Sequence, residues 1–301
     1  MTSPTPSSRR DFLRYGAVLA GAVPLLGAAA CSTTDPEKEK AGGGTLEKAK
    51  KEGYIQVGYA NEAPYGFTTS DGKLTGEAPE LAKVIFKELG INEVRGVQVE
   101  FGGLIAGVQA RRFDAIAAGM FINPERCGQI AFADPEYIAK TALMVPKGNP
   151  KGLKNFDDAI KQKVKVGVMN GAAEADYAAK LGVSKGNIKG FPDPPGAYDG
   201  LKAGRCDCIA LTRISLVDLL SKHKSDPFEV TPAFDVVIDG KEQSGAGGFG
   251  FRKADTDLIQ AFNGELAKLK TSGRLLEILK PFGFSEAEMP GNRTAAEFCK
   301  A

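Results

Sequence analysis

The sequence predicts an α/β protein of two lobes that the chain crosses twice, and three observations carry that expectation. Short apolar runs alternate with amphipathic stretches along most of the chain, which argues for parallel sheets. A Pro/Gly-rich break, Pro146-Lys-Gly-Asn-Pro-Lys-Gly152, is followed by a second α/β rhythm. A glycine-rich break, Ser244-Gly-Ala-Gly-Gly248, is followed by a return to strand and helix. The expected division is residues 45–145 plus 246–301 for lobe 1 and 146–245 for lobe 2. At 301 residues and 43% hydrophobic composition, the chain has apolar material for one or two domains.

Taken in order, the N-terminus reads as a targeting segment rather than as part of the fold. Ser8-Arg9-Arg10-Asp11-Phe12-Leu13 fits a twin-arginine export motif, and the apolar run from Gly16 to Ala30 is too short for a mature membrane span. Residues 1–30 are therefore expected to be a cleaved leader. Leu26-Gly-Ala-Ala-Ala30-Cys31 resembles the lipobox of bacterial lipoproteins, which implies lipidation of Cys31 and anchoring at the outer face of the cell membrane. Residues 31–44, polar and glycine-rich, read as a flexible tether. Ordinary cleavage with an incidental Cys31 is the plainer alternative.

A short helix (46–53) leads into the strand Tyr54-Ile-Gln-Val-Gly-Tyr59 and the loop Asn61-Glu-Ala-Pro-Tyr65-Gly. Asp71-Gly72 marks a hairpin turn, residues 78–89 an amphipathic helix and 97–100 a strand. Phe101 to Pro135 is the densest stretch. It comprises a helix near 104–109, a strand near 113–118, a break at Gly119, and Asn123-Pro-Glu-Arg126 opening a further helix as N-cap and first-turn proline. Ligands bind at the carboxyl ends of strands in open α/β sheets. Met120, Phe121 and Arg126 stand at such an end.

Strands are expected at 137–145, 164–168, 188–191 and 206–211, with 170–174 a turn opening a helix to Leu181 and further helices at 198–203 and 216–222. Asp239-Gly240 and the 244–248 run mark the second crossing, with helices at 256–271 and 275–279 beyond it. Gly245 to Gly250 matches a dinucleotide fingerprint formally. That motif must open a helix, whereas a strand follows here, so hinge glycines are the better account.

Composition excludes several functions. Setting aside the three arginines and one aspartate of residues 1–30 leaves 36 basic and 36 acidic residues, a balance that argues against nucleic acid. The single histidine, His223, offers no basis for a metal or triad site, and no metal or cofactor is expected. Besides Cys31, four cysteines (127, 206, 208, 299) allow three pairings outside the cytoplasm, among which spacing does not choose.

Leu104-Ile105, Gln109, Phe113-Asp114, Gly119-Met120, Ile122, Pro124-Glu-Arg126, Phe132 and Pro135 together match one long motif. On these residues the chain resembles the solute-binding proteins of bacterial ABC importers, polar amino acid (family 3) branch. Over roughly residues 45–285 the resemblance implies a type II periplasmic-binding-protein fold, two parallel or mixed sheets joined by a two-strand hinge. It implies a non-enzymatic receptor, monomeric, that closes on one solute and docks on a membrane permease. Asn61-Glu-Ala-Pro-Tyr65, Gly76-Glu-Ala-Pro79, Phe101-Gly102, Gly119-Met-Phe121, Pro124-Glu-Arg-Cys127 and Phe298-Cys299 resemble the ectoine/hydroxyectoine-binding subgroup.

That subgroup's ligand is a zwitterion with a delocalised amidinium and one carboxylate. The resemblance implies Arg126 as carboxylate anchor, Tyr65, Phe101 and Phe121 as aromatic cage, and Glu62 as partner of the amidinium. From the second lobe it implies Asn170, Gly171, Ala173, Asp193 and Thr212, with Leu211 beside them. Thr212 stands where amino-acid binders of the family carry an aspartate, and Ala172 where many carry a hydroxyl. A Cys127–Cys299 bridge also follows from the subgroup pattern, adding about 4–5 kcal/mol by chain entropy. Two alternatives stay open: a binder of a polar amino acid or other compatible solute, and a dehydratase-like enzyme on the same fold.

Overall fold

The computed structural model describes residues 44–243 and 245–300. The twin-arginine motif, the apolar run and Cys31 lie outside the described residues. The first sheet draws on Tyr54–Tyr59 (β1) and, after the hairpin Phe67–Thr68 (β2) and Leu74–Thr75 (β3), on Glu93–Gln98 (β4), Ala115–Ile116 (β5) and Ala131–Phe132 (β6). Tyr137–Ile138 (β7) leaves this lobe. The second sheet takes Thr141–Pro146 (β8), Val166–Met169 (β9), Ile188–Phe191 (β10), Cys208–Thr212 (β11) and Phe228–Val230 (β12). A second hairpin, Val236–Ile238 (β13) and Lys241–Gln243 (β14), precedes the return through Ala246–Gly247 (β15) to Gly250–Phe251 (β16).

The strand orders are β4-β1-β5-β16-β6 and β10-β9-β11-β8-β12. In each sheet parallel strands are flanked by antiparallel ones. β1 runs parallel to β4 and β5 while β16 opposes β5 and β6; β9 runs parallel to β10 and β11 while β8 opposes β11 and β12. Between the sheets, β7 and β15 form an antiparallel two-stranded hinge. The architecture is the two-lobed mixed α/β one.

The hinge explains the glycine run. A Cβ on Gly247 would enter the Tyr137 ring, and one on Gly245 would strike the Ala139 carbonyl. The two crossing strands pass too close for side chains, so the formal dinucleotide fingerprint is a packing requirement.

The first crossing lies earlier in the chain than residue 146. The strand expected over 137–145 is two strands, and β8 belongs wholly to the second sheet. Pro146 ends β8, where Lys147 donates to the Pro227 carbonyl, and the Pro/Gly run after it is a surface turn. The chain crosses in extended conformation and needs no breaker to do so. Asp239-Gly240 is the turn of the β13–β14 hairpin rather than a crossing. Cys206 is buried just ahead of β11 instead of within it, and both it and Cys208 are free thiols.

Helices cover the sheets by the periodic apolar faces that predicted them. Glu77–Glu88 buries Leu81, Ile85 and Phe86, and Thr256–Thr271 buries Leu258, Phe262 and Leu266. Phe86 and Phe262 meet at 5.6 Å between ring centroids. Each such side chain contributes about 1.5–3 kcal/mol on burial. Among the described residues, no helix is long and apolar enough to cross a membrane.

Candidate functional site

The first lobe builds its half of the site where strands end. After β1, Asn61 takes a left-handed turn (φ 52°), accepting the Thr68 N–H on its side chain, and Glu62 and Gly66 exchange backbone hydrogen bonds. That tight loop places Glu62 and Tyr65 together. After β4, Phe101 opens a single 3₁₀ turn, Phe101–Gly103. After β5, Gly119 turns at φ 60° beside the Tyr65 ring, and Phe121 bridges to Gly247 of the hinge. Asn123 then caps Pro124–Gln129, its side chain accepting the Arg126 N–H at 2.9 Å.

That capped turn aims the Arg126 side chain inward, where it is only 6% exposed. Its Nη1 donates to the Phe121 carbonyl at 2.8 Å and its Nη2 to the Gly171 carbonyl of the other lobe at 2.9 Å. A guanidinium carries five N–H donors, so three remain beyond these two bonds. The Phe101 ring lies 5.5 Å from the guanidinium carbon.

The second lobe closes against this half. Tyr65 donates to Thr212 Oγ1 at 2.8 Å, and Ser215 Oγ to the Ala63 carbonyl at 3.3 Å. Thr212 also caps the helix Arg213–Ser221, accepting from the Ser215 N–H. A small cavity of about 20 Å³ lies between the lobes. Glu62, Tyr65, Phe101, Phe121 and Arg126 all line it from lobe 1. Ala173, Leu211 and Thr212 line it from lobe 2.

The other second-lobe candidates lie elsewhere. Asn170 is exposed outside the cavity lining, and Gly171 takes part through its carbonyl alone. Asp193 caps the helix Pro194–Lys202, accepting the Gly196 N–H at 2.7 Å, and does not line the cavity. Glu174, which the sequence reading took only as the end of a turn, lines the cavity and is 3% exposed. Its one sequence signal, an acid in the first turn of the helix Ala173–Leu181, reads ordinarily as a helix-dipole partner.

Three ionisable groups therefore line one buried space. Burial, then the nearby Glu174 charge, pushes the Glu62 carboxyl up to about 8, opposed by the adjacent Ser215 hydroxyl and the charge of Arg126. Burial pushes Glu174 up to about 7, opposed by hydrogen bonding at its own helix turn, by Arg126 and by Thr141, whose hydroxyl donates to it at 3.3 Å. Burial also lowers the Arg126 pKa, since desolvation disfavours the charged form of any group. An arginine opposite two carboxylates, walled by aromatic rings, can hold a small zwitterion by both poles.

Cys127, next to Arg126, is joined to Cys299 by a disulfide that ties the C-terminal turn to the arginine's helix. His223 is half-buried and stacks on Tyr198 at 4.2 Å between centroids. Among the described residues, no group of His, Cys, Asp or Glu is placed to hold a metal ion. A wider cavity of about 280 Å³ lies against the same hinge, sharing Phe121, and holds none of the three ionisable groups.

Two hinged lobes meeting over a buried pair of opposite charges define the class: a receptor that closes on one small solute. Residues 55–285 match the model of the bacterial extracellular solute-binding proteins, family 3, and the chain belongs to that family. It is thus an extracytoplasmic receptor of an ABC importer for amino-acid-like solutes.

The chain is 36% identical over 265 residues to a "Probable amino-acid ABC transporter periplasmic-binding protein" of Sinorhizobium fredii, covering 86% of this chain and 87% of that one. It is 31% identical to the L-cystine-binding protein of Escherichia coli, covering 77% and 83%. Among solved structures it is similar to EhuB in complex with hydroxyectoine, at TM-score 0.78 and 37% identity, covering 85% of this chain and 97% of that one.

Proposed function

We propose that the receptor binds ectoine or hydroxyectoine in the interlobe cleft. The carboxylate sits on the free N–H groups of Arg126. The amidinium sits against Glu62 and the faces of Tyr65, Phe101 and Phe121. The observation that carries this reading is the burial of Arg126 and Glu62 together in one cavity walled by those three rings. A delocalised cation gains about 0.5–2 kcal/mol from an aromatic face, more as the site dries. The likeness to the hydroxyectoine complex of EhuB supports the same ligand class.

The Tyr65–Thr212 and Arg126–Gly171 hydrogen bonds join the lobes across the cleft, so binding and closure are linked. The ligand stabilises the closed form by contacting both lobes, and that form docks on the permease. The two lobes divide at the β7–β15 hinge. Export by the twin-arginine route, a lipid on Cys31, and residues 31–44 as a tether keep the monomeric receptor at the membrane beside its permease.

A second reading, a polar amino acid ligand, is favoured by one observation: Glu174 supplies a lobe-2 carboxylate to which an α-ammonium could bind. A thermal-shift screen of ectoine, hydroxyectoine and polar amino acids separates the two, because a tight ligand raises the melting temperature by mass action. The expected result is a response to the ectoines. A response confined to an amino acid moves the ligand to the second reading. Mass spectrometry of the recovered solute is expected to find it unchanged, and consumption of the solute would turn the reading to an enzyme.

A further inference from the structure

Glu174 distinguishes this cleft from a plain zwitterion site with one cation and one anion. It enters from lobe 2 at the start of the helix Ala173–Leu181, while Glu62 enters from lobe 1 on the tight loop after β1. Both side chains are more than nine-tenths buried, and both line the same small cavity. Resting on the cleft being the ligand site, we propose that Glu62 and Glu174 form a two-carboxylate seat. This seat accepts only cations bearing N–H donors on at least two sides, and Glu174 is its specificity-determining member.

Two buried carboxylates present several acceptor lone pairs; Thr141 donates to one oxygen of Glu174, while the Ser215 hydroxyl beside Glu62 donates to the Ala63 carbonyl. An amidinium, a guanidinium or a primary ammonium can donate to both acids at once. A quaternary ammonium carries no N–H and would leave both acids desolvated without donors. Site groups left unpaired in this way are what make such sites discriminate strongly. Glycine betaine is therefore excluded although it has a carboxylate for Arg126 and a cation for the aromatic rings.

The same seat links binding to protons. Facing Glu174 are Glu62 and Tyr65 from the loop after β1, Arg126, Thr141 at the start of β8, and Tyr177 on its own helix. Asp176 and Glu125 act on the same guanidinium. Burial, and for Glu62 also the Glu174 charge, favours protons on the two acids in the free receptor, and a bound cation favours their release. Affinity is thus expected to rise with pH through the range from about 7 to about 8, as the two acids ionise.

Isothermal titration of the purified protein tests this, with ectoine, hydroxyectoine, L-glutamine and glycine betaine as probes, in buffers of different ionisation enthalpy. The wild type is expected to bind an N–H-bearing probe with proton release and to give no heat with glycine betaine. Glu174→Gln keeps the side chain's size and an acceptor for Thr141. It is expected to weaken the N–H-bearing probe by at least about tenfold, the cost of one charge-assisted hydrogen bond, and to flatten the pH dependence. Glycine betaine binding to the wild type as tightly as ectoine overturns the seat, and this arm needs no variant. Unchanged affinity and pH slope in a folded Glu174→Gln, with binding intact in the wild type, overturns Glu174 alone and leaves the cleft reading standing. No binding of any probe to the wild type overturns the cleft reading and this inference with it.

Discussion

The two lobes contribute to one cavity in different ways. Lobe 1 offers side chains: a carboxylate, a guanidinium and three aromatic rings, each standing on a loop at a strand end. Lobe 2 offers a helix start, the Gly171 carbonyl, small residues and one acid. On the proposed ligand reading, the charged and aromatic contacts fall mainly to lobe 1, and closure and selection to lobe 2. The electrostatics divide in the same way, because Arg126 spans the gap to Gly171 and lowers the cost of ionising both acids.

The largest effect expected from this division is at Arg126. Arg126→Ala removes the carboxylate's partner and the bond across the lobes to Gly171. Hydrogen bonds to charged groups contribute about 1.5–3 kcal/mol each, so losing a bidentate pair costs about 10²–10⁴-fold in affinity. Calorimetry with ectoine reads the loss directly, and an affinity within a few-fold of wild type would sink the anchor assignment. The fold should survive, because the variant keeps the helix cap from Asn123, which is made to the backbone N–H of residue 126.

A smaller effect is expected where lobe 1 meets lobe 2 without a charge. Tyr65 stacks on Tyr137 at 5.3 Å and donates to Thr212 across the closed cleft. Tyr65→Phe keeps the ring and the stacking but removes the hydroxyl. Net loss of one neutral hydrogen bond, about 0.5–1.5 kcal/mol, falls on the closed state alone. Affinity should drop roughly 2- to 12-fold, chiefly through faster release, which stopped-flow measurement resolves. An unchanged release rate would mean that the interlobe bond does not hold the closed form.

Legibility follows the same line between the lobes. Glu62, Tyr65, Phe101, Phe121 and Arg126, which the resemblance implied, line one cavity; Phe121 and Arg126 were also legible locally, at a predicted strand end beside Gly119 and Pro124. The alternating pattern, the hinge glycines and the 256–271 helix were readable because periodicity and breakers act locally. The lobe boundary was not, since an extended hinge strand carries no breaker and Pro146 only ends β8. Glu174 was not, because its burial arises only when two distant segments meet.

Asp193 shows the converse. An acid followed by Pro194-Pro195 in a second-lobe loop has the same signature whether it faces a ligand or caps a helix. Here it accepts the Gly196 N–H at 2.7 Å as N-cap of Pro194–Lys202. Removing such a cap costs about 1 kcal/mol of stability through unsatisfied helix N–H groups. Asp193→Ala should therefore lower the melting temperature by a few degrees, while the affinity for ectoine stays at the wild-type value. Thermal melts with and without ligand separate the two effects, since a capping role shifts both curves equally and a ligand contact shrinks the ligand-induced increment. A shrunken increment would restore Asp193 to the site and make lobe 2 a side-chain contributor on two elements rather than one.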